Sequence, residues 1–184
     1  MDRYWHITWR TYGTWLPGED GFVGYFRPTS AVRITENIPG TSTADPQPLL
    51  ARYAASIQRG ETIVLAANCA RIILKQLQET ATYRGWTLDA VAVLSHHVHV
   101  VVGVPGDPDP SAMLRDFKSY ASRALNNHCG RTVNGRWWVD QGSKRPLKSP
   151  ERRLAAIRYV RDQDNPLQVW LSEEAKRLLS EPAA

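Results

Sequence analysis

The sequence predicts an α+β domain built on an antiparallel sheet, and three observations carry that expectation. Tyr4–Tyr12 and Leu94–Gly103 are rich in β-branched and aromatic residues, as strands are. Glu61–Arg84 and Ser111–His128 keep apolar residues at the 3.6-residue period of amphipathic helices. The elements then fall in the order β, long loop, α, β, β, α, β, α, α. A β-α-β-β-α-β core is the ferredoxin-like arrangement, an antiparallel sheet with helices on one face.

In order along the chain, Tyr4–Tyr12 alternates, with Trp5, Ile7 and Trp9 on one face and Tyr4, His6, Thr8 and Arg10 on the other. His6 either joins the site or faces solvent, and the second reading is favoured. Residues 18–60 hold recurrent Gly, Pro, Ser and Thr with no sustained period, so a surface excursion is expected there, with a short helix near Leu49–Ile57. Glu61–Arg84 is the clearest helix, with Gly85 as its stop. Trp86–Leu94 is a strand leading into the next. Ser111 is placed as the cap of the second helix, which runs to His128 with Met113, Leu114, Phe117, Tyr120, Ala121, Ala124 and Leu125 inward. Gly135–Gly142 reads as a short strand and Gln141–Ser149 as a flexible connection. Ser149-Pro150 opens a third helix, which runs to about Gln163. Asn165-Pro166 breaks it, and Trp170–Leu179 is the last helix. The expected organisation is one domain over residues 1–184, with 18–60 as a long insertion and 164–184 as a C-terminal helical extension.

Composition narrows the function classes. At 184 residues, 42% hydrophobic and 22% charged, the chain can bury a full core. No apolar run approaches the ~20 residues of a membrane span, and Met1–His6 lacks the apolar run of a secretory leader. Cys69 and Cys129 show no C-x-x-C spacing, so both read as structural thiols in a reducing cytoplasm. Twelve Lys and Arg fall between Arg115 and Arg161 against three acids, which concentrates positive charge in a chain of net charge +5. A basic stretch of this kind in a chain with seven tryptophans points to nucleic acid.

The chemistry centres on Leu94–Gly103. His97 and His99 are two apart, so on a strand both imidazoles leave one face. One histidine in an apolar strand is ordinarily a hydrogen-bonded core residue. Two on one face supply two-thirds of a small metal site. Tyr159 and Gln163, four apart, share one face of the third helix. A tyrosine is a nucleophile for covalent catalysis, and a Gln oxygen is a fair third ligand for a hard divalent ion. Tyr120 is a rival nucleophile, but it falls in the core stripe of its helix and no Gln, Glu or His follows it at four residues.

His97-Val98-His99 and Arg158-Tyr159-Val160-Arg161-Asp162-Gln163, in this order of elements, resemble the HUH single-tyrosine transposases and their REP-associated relatives. The similarity runs from Trp5 to Gln163. It implies the HUH endonuclease fold, the ferredoxin-like core plus a C-terminal nucleophile helix. It also implies one Mg²⁺ or Mn²⁺ on His97, His99 and Gln163, with Tyr159 attacking a phosphate of single-stranded or hairpin DNA to give a 5′-phosphotyrosine. A homodimer is implied, in which the nucleophile helix of one subunit can serve the His pair of the other, with the segment at 141–149 permitting the exchange. Lys118, Arg136, Lys144, Arg145, Arg152 and Arg153 are the phosphate contacts expected from charge, and Trp138 is the expected stacking platform for an unpaired base. Two other readings share the fold. One is a non-catalytic single-strand-binding module. The other is a metallohydrolase that turns over without a covalent intermediate.

Overall fold

The computed structural model describes residues 2–14, 16–19 and 45–180. Among them, β1 (Asp2–Arg10), β2 (Thr87–Val93), β3 (His97–Pro105), β4 (Ser143–Leu147) and β5 (Gln168–Leu171) form one antiparallel sheet in the order β4-β1-β3-β2-β5. The helices are α1 (Pro48–Ser56), α2 (Ala67–Arg84), α3 (Pro110–Cys129), α4 (Pro150–Arg161) and α5 (Glu173–Ser180). None of them is long and apolar enough to cross a membrane. Met1–Tyr12 with Ile63–Ala184 makes one compact unit, which holds the sheet, and Gly13–Thr62 makes a second. In the second unit the Gln47 N–H donates to the Gly18 carbonyl. Gly18 has φ 90°, and a Cβ there would sit 2.6 Å from the Gln47 oxygen, so glycine is required. Much of the expected excursion, residues 20–44, lies outside the described residues.

The ferredoxin-like expectation holds. Strands β4-β1-β3-β2 are its sheet, with β3 at the centre. One face buries Ile7 and Trp9 of β1, Val91 and Val93 of β2 and Val98, Val100 and Val102 of β3 under Ile73 and Leu77 of α2 and Met113 and Phe117 of α3. The stripe Ala70, Ile73, Leu77, Ala81 is the inward face that the period predicts for α2. Gly85 ends the helix in the left-handed region at φ 66°. The other face is covered too. Ala156, Ile157 and Val160 of α4 and Ala175 of α5 pack on Ala90, Ala92, Leu94 and Val101.

Several boundaries move, each for a local reason. α2 begins at Ala67 rather than Glu61, because Ile63 and Leu65 run extended and bond the Tyr12 and Ser95 carbonyls. α3 is capped by Asp109, whose side chain accepts the Ser111 N–H, so Ser111 lies inside the helix. Residues 135–142 form only an isolated bridge, Thr11 to Trp138. The fourth strand comes later, at Ser143–Leu147, paired with β1 from Thr8 to Tyr4. The stretch expected as flexible is therefore an edge strand. After the break at Asn165, which adopts φ 50°, the chain forms β5 against β2, and only then α5.

Candidate active site

Register brings the site together. In the β1–β3 pair, Thr8 lies opposite His99, Arg10 opposite His97 and His6 opposite Val101. Side chains directly across an antiparallel pair leave on the same face. That face of β1 thus lies beside the imidazoles of β3, and His6, favoured as solvent-facing, is half-buried there. Its Nε2 lies 3.1 Å from His99 Nδ1. Thr8 Oγ1 lies 2.9 Å from the same His99 nitrogen. The His97 and His99 rings meet edge to face with centroids 4.7 Å apart.

α4 carries the phenol to this face. Ser149 caps it, accepting the Arg152 N–H, with Pro150 at its first turn. The sheet opposite offers Ala90 and Ala92, small residues that let the helix settle close. Ile157 and Val160 turn inward, and Tyr159 stays 54% exposed. Its ring stands edge-on to His99, with centroids 5.4 Å apart, and to His6, at 5.7 Å. The sequence-predicted pair of His strand and late-helix tyrosine therefore meets within one chain. Gln163 follows just past the helix end, and its amide nitrogen donates to the Tyr159 carbonyl, satisfying one of the helix's last acceptors. The same side chain bears on His97 as a hydrogen-bond partner. Tyr120 belongs to α3, on the opposite face of the sheet, and has no part in this site.

Electrostatics keep the imidazoles neutral. Burial pushes His99 down to about 3, helped by His97, His6 and Arg10. Burial pushes His97 down to about 4, with His96 and Arg10 adding to it and Gln163 opposing. His6 falls to about 4 through burial and the charge of Arg145. His97 Nδ1 and His99 Nε2 are buried without a hydrogen-bond partner. Buried nitrogens that are neutral and unpaired suit ligation of a cation. Among the described residues no group of three or more His, Cys, Asp or Glu is placed to hold a metal. A third protein ligand would then be of another type, and Gln163 is the amide that acts on His97. The donor set fits a divalent ion on two imidazoles and one amide oxygen.

The basic residues divide. Arg145 lies opposite His6 in the β1–β4 pair, and Arg152 is exposed on α4, seven residues before Tyr159 and on the same helix face. Lys144 reaches the Ser111 hydroxyl at 3.3 Å, and Arg136 pairs with Asp140 at 3.2 Å. Three expected DNA contacts are otherwise engaged. Lys118 donates to the Val139 and Asp140 carbonyls. Arg153 is held by Asp89 through two hydrogen bonds of 2.7 and 2.8 Å, with its guanidinium 3.8 Å from the Tyr4 ring centroid. Trp138 is only 6% exposed and packs edge-on against Trp9, its N–H bonded to the Lys118 carbonyl and the Ser122 hydroxyl. It has no open ring face for a base, because both tryptophans of the 137–138 pair are drawn into the core. Arg10, opposite His97, was missed as a site residue, as was Thr8, and His6 takes the less favoured of its two readings. The alternation of β1 already put all three on one face.

A phenol borne by a helix thus stands beside His99 of a central strand, on a ferredoxin-like sheet. Residues 57–142 match the family model described as transposase IS200-like. The resemblance to that family is thus shown over a stretch that contains His97 and His99 and ends before Tyr159 and Gln163. No curated protein matches the chain. Among solved structures, a transposase candidate from Deinococcus radiodurans R1 is similar at 14% identity and TM-score 0.49, over 90% of this chain and 93% of that one. A REP-associated tyrosine transposase bound to a REP hairpin is similar at 14% identity and TM-score 0.46, over 86% of this chain and 64% of that one.

Proposed function

We propose that the protein is a transposase that cleaves and rejoins one strand of single-stranded or hairpin DNA, with Tyr159 as its nucleophile. The observation that carries this reading is the exposed Tyr159 ring standing against His99 and His6 on the face where two buried imidazole nitrogens lie unpaired. The Tyr159 oxygen bonds to phosphorus as the phosphorus–O3′ bond breaks. This leaves a 5′-phosphotyrosine, and the departing 3′ oxygen takes a proton to become a hydroxyl. The phenolic proton passes to water, which the exposed side chain meets directly. The neighbouring imidazoles, held at about 3 to 4, are weak bases. Attack by a 3′-hydroxyl on the phosphotyrosine releases the phenol and joins the strands. The number of phosphoester bonds is unchanged, so no external energy source is required.

In this reading His97, His99 and Gln163 would hold one Mg²⁺ or Mn²⁺, which would supply Lewis-acid polarisation of the scissile phosphate and offset the charge developing there. Arg10, Arg145 and Arg152 take the flanking phosphates. The contact of Tyr159 with His99 of its own chain supports a reaction in cis.

Labelled hairpin DNA, with Mn²⁺ or with EDTA, is resolved on a denaturing gel after incubation with wild-type protein or Tyr159→Phe. The wild type gives a Mn²⁺-dependent covalent adduct, and Tyr159→Phe binds the DNA without one. An adduct from the Phe variant refutes the nucleophile. Wild-type binding indifferent to EDTA, with no adduct, points instead to a binding module, and turnover without an adduct to a hydrolase.

A further inference from the structure

The two imidazoles of the site are not supported alike. His99 Nδ1 lies 2.9 Å from Thr8 Oγ1 and 3.1 Å from His6 Nε2, and these two atoms are themselves 3.4 Å apart. His99 Nε2 is buried and has no partner. We propose that Thr8 and His6 are positioning residues, which fix the proton of His99 on Nδ1 and so leave Nε2 bare to meet a cation. This rests on the reading of His99 as a metal ligand.

A neutral imidazole carries a single N–H, and the hydrogen bond at one nitrogen decides which nitrogen is left to ligate. Here both neighbours of Nδ1 can accept. The Nδ1–H donates to the Thr8 oxygen, and the Thr8 hydroxyl is free to donate onward to His6 Nε2. The opposite tautomer would place an N–H at Nε2, a buried position with no acceptor, aimed where a cation would stand. The backbone makes the arrangement rigid. Thr8 is the direct cross-strand neighbour of His99, and its branched Cβ restricts χ1. His6 is held by contacts with the His99 and Tyr159 rings. Partners of this kind orient metal-bound imidazoles and commonly govern affinity by about 10- to 100-fold.

Two measurements test this on the full-length protein without DNA. Long-range ¹H–¹⁵N spectra of the metal-free wild type should show His99 protonated on Nδ1, and the Nε2-protonated form overturns the proposal. In calorimetric titrations with Mn²⁺, Thr8→Val should weaken binding about tenfold or more, while Thr8→Ser, which keeps the hydroxyl, stays within about twofold of wild type. His6→Ala, which removes the farther acceptor, should weaken it less than Thr8→Val does. Thr8→Val binding Mn²⁺ as the wild type does overturns the proposal. A wild type that binds no Mn²⁺ overturns it together with the metal reading. Normal Mn²⁺ results beside a Tyr159→Phe variant that still forms the adduct would remove the nucleophile and leave this inference standing.

Discussion

Arg153→Ala tests how α4, and with it Tyr159, is fastened to the sheet. Asp89 lies where the β2–β3 register shifts between Leu88 and Ala90, and its side chain is 0% exposed. Arg153 grips both of its oxygens, at 2.7 and 2.8 Å, and is itself 17% exposed. Removing the guanidinium leaves a buried carboxylate with no counter-charge, which costs about 3–5 kcal/mol. Loss of the contact with the Tyr4 ring adds on the order of 1 kcal/mol. With a urea slope of ~2 kcal/mol/M, the unfolding midpoint should fall by about 2–3 M. Asp89→Asn should cost less, because the freed guanidinium can turn to water. Asp89→Leu combined with Arg153→Met should recover most of the loss, since replacing both charges removes the desolvation penalty. Tryptophan fluorescence in urea follows all of these. Tyr159 lies six residues beyond Arg153, about 9 Å along the axis, so the loosened helix should also form the DNA adduct more slowly. A midpoint shift under about 0.5 M for Arg153→Ala, or a double variant no better than the worse single one, would refute the reasoning.

Two further outcomes follow from the site and the core. His6, His97 and His99 titrate below their ordinary value of 6.5 in the folded chain, so the unfolded chain takes up protons first as pH falls. The stability they contribute is therefore full above pH 6.5 and is lost between there and about 4 to 3, by up to ~1.4 kcal/mol per pH unit for each group. Urea midpoints at pH 7, 6 and 5 in metal-free protein measure this, and a flat profile contradicts it. Cys69 and Cys129, isolated in sequence, lie with their sulfurs 3.1 Å apart. Diamide, which accepts two electrons, should convert the two thiols to a disulfide that raises stability by about 2–4 kcal/mol. Two thiols still titratable after treatment would argue against the pairing.

Period and punctuation in the chain were enough for the central sheet and for α2, α3 and α4. Those elements carry long apolar stripes, a capping Ser149-Pro150 and a stop at Gly85, all local signals. The pairing of His97 and His99 on one face was likewise legible, because strand periodicity is a property of the backbone. β4 was not, since Ser143–Leu147 is short, polar and contains proline, and it is a strand only because β1 offers it an edge. β5 was hidden because it is only four residues long and forms against the edge that β2 offers. Arg153, Lys118 and Trp138 read as DNA contacts because charge and aromaticity in a sequence do not reveal a buried acceptor or a core waiting for them.

The chain by itself determined where the candidate residues fall: two imidazoles on a strand, and a phenol and an amide one helical turn apart. Only tertiary structure decided what surrounds them. Cross-strand register set Thr8 and His6 against His99, and the small residues Ala90 and Ala92 let α4 settle with Tyr159 beside His99 and His6. Such contacts join positions from opposite ends of the sequence, so no local periodicity can encode them.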